Sequence, residues 1–81
     1  MRIFIGNLAW SVTSGELEEL FARAGTVSDA LVLTDSLSGR SRGFGFVEMP
    51  DSEARLAIQQ FDGAEFKGRA LRVNEAHARW R

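Results

Sequence analysis

The chain has 81 residues, an apolar share of 44% and a net charge of −1. That is room for one small domain with a modest core and argues against disorder. The charge argues mildly against a nucleic-acid binder, whose usual footprint is basic, although Arg40, Arg42, Arg69, Arg72, Arg79 and Arg81 fall in later segments expected to converge on one face. With no cysteine there is no disulfide framework and no Cys-based zinc site, and no segment approaches the roughly 18 consecutive apolar residues that span a bilayer.

The N-terminus is already patterned like a strand, unlike a signal peptide, so the expectation is a soluble cytoplasmic protein held together by packing alone. Arg2–Gly6 reads as a short apolar strand closed by Gly6-Asn7. Thr13-Ser14-Gly15-Glu16 has the form of a capping box, and Leu17, Leu20, Phe21 and Ala24 follow at helical spacing, with Gly25 placed as the stop. Val27–Thr34 is strand-like, with Ala30 and Val32 on one face and Leu31 and Leu33 on the other. Asp35–Ser41 reads as a hairpin loop, and Arg42–Met49 as a third strand ended by Pro50. Asp51 or Ser52 is expected to cap a second helix that points Ala54, Ala57, Ile58 and Phe61 inward. Turns at Asp62-Gly63 and Lys67-Gly68 precede a fourth strand, Arg69–Asn74, and a polar tail that contains Trp80.

The order strand, helix, strand, strand, helix, strand predicts an α+β fold of the ferredoxin-like βαββαβ type. Its four-stranded antiparallel sheet would carry both helices on one face. The other face would meet water. Alternation along the third strand puts Arg42, Phe44, Phe46 and Glu48 on one side and Val47 and Met49 on the other. In the first strand Ile3 and Ile5 point to the core, and Phe4 joins the open side. If these two strands are the central pair, Phe4, Phe44 and Phe46 make one aromatic platform. Exposed rings of this kind mark a binding surface, and flat rings flanked by arginine suit unstacked bases. The bland alternatives are that Phe44 and Phe46 are ordinary core residues and that Arg42 is a solvated charge.

Arg42–Met49 resembles the octamer of the RNA recognition motif, K/R-G-F/Y-G/A-F-V-x-F/Y. Ile3-Phe4-Ile5-Gly6-Asn7-Leu8 is similar to the family's companion hexamer. The resemblance extends over the whole chain, which would divide into a domain of residues 1–75 and a tail of residues 76–81. Short bacterial proteins with one such domain, cyanobacterial ones among them, look closest in length and in the Trp10, Ser41-Arg42 and Asn74-Glu75-Ala76 wording. The resemblance implies that the partner is single-stranded RNA, with single-stranded DNA as an alternative, and that the protein acts as an RNA chaperone or post-transcriptional regulator. It implies that Phe4 and Phe44 each stack a base, that Phe46 packs against sugars or between two nucleotides, and that Arg42 meets a phosphate. Asn7 and Arg72 would join the site, and Asn74, Ala76 and His77, in the segment after the fourth strand, would read base edges.

Three positions depart from the family pattern. Met49 replaces the final aromatic but points inward, and Leu31 and Leu33 stand where relatives often carry polar residues. With Glu48 on the same face, weak and salt-sensitive binding is expected. The leucines also keep a second reading open, a protein-interaction module that uses the sheet or a helix face. Arg69 and Arg72 are read as either site residues or partners of acids such as Glu48, and Trp10 as a cover on the end of the core in preference to an RNA contact. His77 is a base contact or a solvated residue, and a single histidine without cysteine makes no metal site. The expected protein is a monomer with no cofactor and no membrane association. There is no nucleophile–base pair, carboxylate dyad or phosphate-cradling loop, so an enzyme is not expected.

Overall fold

The computed structural model describes residues 1–34 and 41–76, with the side chains of Thr34, Ser41 and Arg42 outside the description. The elements in order are β1 (Arg2–Gly6), α1 (Ser14–Ala22), β2 (Asp29–Thr34), β3 (Ser41–Glu48), α2 (Asp51–Phe61), β4 (Glu65–Phe66), β5 (Arg69–Ala70) and β6 (Arg72–Glu75). Strands β2, β3, β1 and β6 form one antiparallel sheet in that order, and β4 pairs with β5 as a separate hairpin. β1 and β3 are therefore the central pair on which the platform depends.

One core forms between the sheet and the helices. Ile3, Ile5, Val32, Val47 and Val73 from the strands meet Leu17, Leu20, Phe21, Ala54, Ala57 and Phe61 from the helices. The rings of Phe21 and Phe61 lie 4.8 Å apart and join α1 to α2. Alternation then leaves the neighbours of these strand residues on the far face of the sheet. Among the described residues no helix is long and apolar enough to cross a membrane.

The start of α1 forms as expected: Thr13 accepts from the Glu16 amide at 3.1 Å, and Glu16 accepts from the Thr13 amide at 3.0 Å. The start of α2 does not. Pro50 is the cap residue and offers no side-chain bond, Asp51 is the first helical residue, and the Ala54 amide closes the turn on the Pro50 carbonyl at 2.8 Å. Asp51 and Glu53 instead contribute negative charge to the first turn, where the helix dipole favours it. Gly25 is also not the stop of α1, which ends at Ala22 with Arg23 as its cap. A β-carbon at Gly25 would lie 2.8 Å from Cβ of Glu53, so glycine is needed there for the loop to approach α2.

The expected strand Arg69–Asn74 is two strands. Lys67 and Gly68 both have positive φ, +51° and +85°, the backbone of a two-residue hairpin turn. β5 ends at Ala70, because Leu71 turns into the core and exchanges backbone bonds with Gly63 and Ala64. β6 then begins at Arg72. The second strand starts at Asp29, later than Val27, and the third runs from Ser41 to Glu48. Between Val32/Gly45 and Thr34/Ser41 the register shifts, and β3 takes up the extra residues where Gly43 has a φ of +88°.

Candidate nucleic-acid interface

The residues directly opposite one another in the ladders share a face, so the register arranges the open side of the sheet into transverse rows. One row runs Leu31, Phe46, Phe4, Asn74; the next contains Phe44, Gly6 and Arg72; a third runs Asp29, Glu48, Arg2. Phe4, Phe44 and Phe46 are each partly exposed. Ring centroids are 5.8 Å apart for Phe4–Phe44, 5.8 Å for Phe4–Phe46 and 6.4 Å for Phe44–Phe46. The Phe4 and Phe44 planes tilt by only 35°, whereas Phe46 stands edge-on to Phe44 at 89°. Thus two rings offer similarly inclined faces, and the third forms a wall beside them.

Two glycines make this arrangement possible. A β-carbon at Gly6 would lie 3.1 Å from Cε2 and 3.3 Å from Cζ of Phe4, so the absence of a side chain there lets the Phe4 ring lie low on the sheet. Gly45 serves the opposite face. A β-carbon there would run into the Leu31 carbonyl oxygen and stand 3.1 Å from Cα of Val32 and 3.2 Å from a methyl of Leu17. The glycine thus allows β2 and α1 to close onto β3.

The charges are distributed differently from the expectation. Glu48 pairs with Arg2 at 3.2 Å, not with Arg69 or Arg72, and the Arg2 guanidinium lies 5.8 Å from the Phe46 ring centroid, within reach of a cation–π attraction. Arg69 donates to both the backbone and the side-chain oxygen of Asn7. The Asn7 amide nitrogen donates in turn to the Ala70 carbonyl at 2.7 Å. Asn7, at a φ of +60°, is thereby clasped to β5 with both ends of its amide engaged. Arg72 is exposed and makes no ion pair among the described residues.

Of the expected site residues, Phe4, Phe44, Phe46, Asn74 and Arg72 come together on one surface. Ala76 follows at its border, half-buried, with its amide donated to the Arg2 carbonyl at 2.9 Å. The side chain of Arg42, the residue His77, the loop arginine Arg40 and the tail residues Arg79, Trp80 and Arg81 lie outside the described residues. Trp10 is 68% exposed, so it does not cover the core; Leu8 and Val12, on either side of it, are buried instead. Leu31 is 50% exposed beside Phe46 and extends the apolar surface as expected. Sequence reasoning missed Arg2 and Asp29. Arg2 alternates with Phe4 and could have been assigned to the open face, but its pairing with Glu48 needs the register.

Residues 3–72 match the RNA recognition motif family, and the chain belongs to it. It is 52% identical over 81 residues to the chloroplast RNA-binding protein CP31B of Arabidopsis thaliana, covering 99% of this chain and 28% of that protein. It is 50% identical over 80 residues to the RbpE protein of Nostoc sp., covering 98% of this chain and 81% of that one. A crystal structure of the RNA-binding protein PG1 superimposes with a TM-score of 0.92 at 46% identity, over 100% of this chain and 99% of that one. The chain spans less than a third of the length of the plant relatives it matches.

Proposed function

We propose that this chain binds single-stranded RNA across the open face of its sheet, with bases stacked on Phe4 and Phe44 and a sugar or a further base packed against Phe46. The observation that carries this reading is the partly exposed trio of rings, all within 6.4 Å of one another, on the face that the helices leave bare. An apolar surface of that size is costly in water, and membership of the RNA recognition motif family supplies the ligand that suits it. Arg72 and Arg42 supply charge for phosphates, and Asn74, Ala76 and His77 supply contacts to base edges. Asn7 serves the site by holding the β1–α1 connection through its bonds to β5.

The domain comprises residues 1–75, followed by a short C-terminal tail of residues 76–81. The biological reading is a cytoplasmic, monomeric RNA chaperone or post-transcriptional regulator. Single-stranded DNA is the alternative ligand of the same face. The contiguous Leu31 favours a second reading, in which a protein partner docks on the apolar end of the sheet.

The test is an anisotropy titration of labelled single-stranded RNA against wild type and the Phe4→Ala, Phe44→Ala double variant, at two salt concentrations. Each base stack contributes about 1–3 kcal/mol, so the folded double variant should bind at least roughly thirtyfold more weakly. Unchanged affinity in a folded double variant refutes the platform. Absence of binding by wild type transfers support to the protein-partner reading.

A further inference from the structure

Resting on the RNA-binding reading, we propose that the hollow beside Phe46 is a guanine-selective subsite, with Arg2, Glu48 and Asp29 as its specificity-determining residues. The hollow has a volume of about 100 Å³ and is lined by Arg2, Asp29, Leu31, Phe46 and Glu48. Its floor is apolar: Leu31 and Phe46 face each other in the ladder, and Leu31 is half-exposed. Its wall is the row Arg2, Glu48, Asp29. A base that covers Phe46 and Leu31 therefore turns an edge toward that row.

The row has a chemical direction. Glu48 and Asp29 are directly opposite across β2 and β3, an arrangement of like charges that costs stability. Ionised carboxylates only accept hydrogen bonds, and a guanidinium only donates them. Across the sheet the order is thus donor, acceptor, acceptor. Glu48 Oε1 faces Arg2 at 3.2 Å, and Asp29 Oδ1 accepts from the Ala30 amide at 3.0 Å. Each carboxylate has a second oxygen with further lone pairs for a ligand. A phosphate is repelled by the two acids, so this end of the platform takes a base.

RNA bases are read on their Watson–Crick edges once they leave a stack. Guanine presents O6, N1–H and N2–H in sequence: acceptor, donor, donor. That is the complement of Arg2, Glu48 and Asp29. Uracil presents a carbonyl at the third position, where it would face Asp29. Cytosine reverses the order, setting its amino group against Arg2 and its acceptors against the acids. Adenine sets its amino group against Arg2 and its N1 acceptor against Glu48. Guanine alone satisfies all three.

The experiment titrates short labelled oligouridines, unmodified or carrying one central guanosine, adenosine or cytidine, against wild type, Asp29→Asn, Glu48→Gln and Glu48→Asp. Folding of each variant is checked by thermal unfolding, because Glu48→Gln also removes the Arg2 ion pair. The expected result is that one guanosine tightens wild-type binding roughly tenfold or more over oligouridine, beyond adenosine or cytidine. Asp29→Asn and Glu48→Gln should reduce that ratio several-fold, and Glu48→Asp, which keeps the carboxylate, should retain most of it. Equal wild-type binding of all four RNAs, or a guanosine ratio untouched in both Asp29→Asn and Glu48→Gln, overturns the guanine assignment while leaving RNA binding intact. Failure of wild type to bind any of the four overturns the RNA-binding reading and the subsite with it.

Discussion

Gly45→Ala tests whether the platform depends on the close contact of β2 and β3. The new β-carbon would collide with the Leu31 carbonyl oxygen, lie 3.1 Å from Cα of Val32 and 3.2 Å from Leu17 Cδ2. Two of these atoms are backbone and cannot rotate away. Overpacking costs about 1–3 kcal/mol, and prising the strands apart would weaken one or two ladder bonds at about 0.5–1.5 kcal/mol each. Against this, replacing glycine within a strand returns about 0.5–1 kcal/mol. The net loss is about 1–5 kcal/mol, a large share of the stability of roughly 4–12 kcal/mol expected for a domain this small. With a urea slope of about 1 kcal/mol per molar, the unfolding midpoint should fall by about 1–5 M. Gly63→Ala is the control: it has positive φ (+84°) but nothing within 4 Å of the added carbon, so only the backbone strain of about 1–2 kcal/mol applies. A Gly45→Ala midpoint equal to or above wild type would refute the reasoning, because the strands would then have room that the geometry denies them.

Two further outcomes follow from the start of α1. Thr13→Ala removes the bond to the Glu16 amide and should cost about 1 kcal/mol, read from the urea midpoint. Glu16 also accepts a bond from Lys67 at 2.6 Å, which, with the bonds at Thr13, holds its carboxyl below the ordinary value of 4.5. A carboxyl depressed in the folded state stabilises the fold above its unfolded pKa and loses that contribution as pH falls through the folded one. Wild type should therefore lose more stability than Lys67→Met on acidification below about pH 4.5, measured by thermal unfolding across that range. Identical acid profiles would show that the pair contributes nothing.

Local patterns carried most of the fold. The capping box at Thr13–Glu16 could be read from four residues because its bonds are local. Likewise, strict alternation assigned Phe4, Phe44 and Phe46 to one face without any knowledge of their neighbours. Features that depend on two distant segments were less legible. The Pro50 cap was missed because residue preferences favour Asp or Ser, although the geometry of proline also permits the position. The break at Leu71 was missed because an uninterrupted strand and a hairpin followed by a strand have nearly the same apolar pattern, and only burial of Leu71 separates them.

The sequence by itself determined which face of the sheet carries the rings, because side-chain alternation is a property of any extended chain. Only the tertiary structure decided what stands beside them. Arg2 and Glu48 are 46 positions apart, and Asn7 meets Arg69 from 62 positions away. Which residues face one another across a ladder is set by register, and register follows from the core, the turns and Gly45, which lets β2 close onto β3. The charge row next to Phe46 is a product of that register.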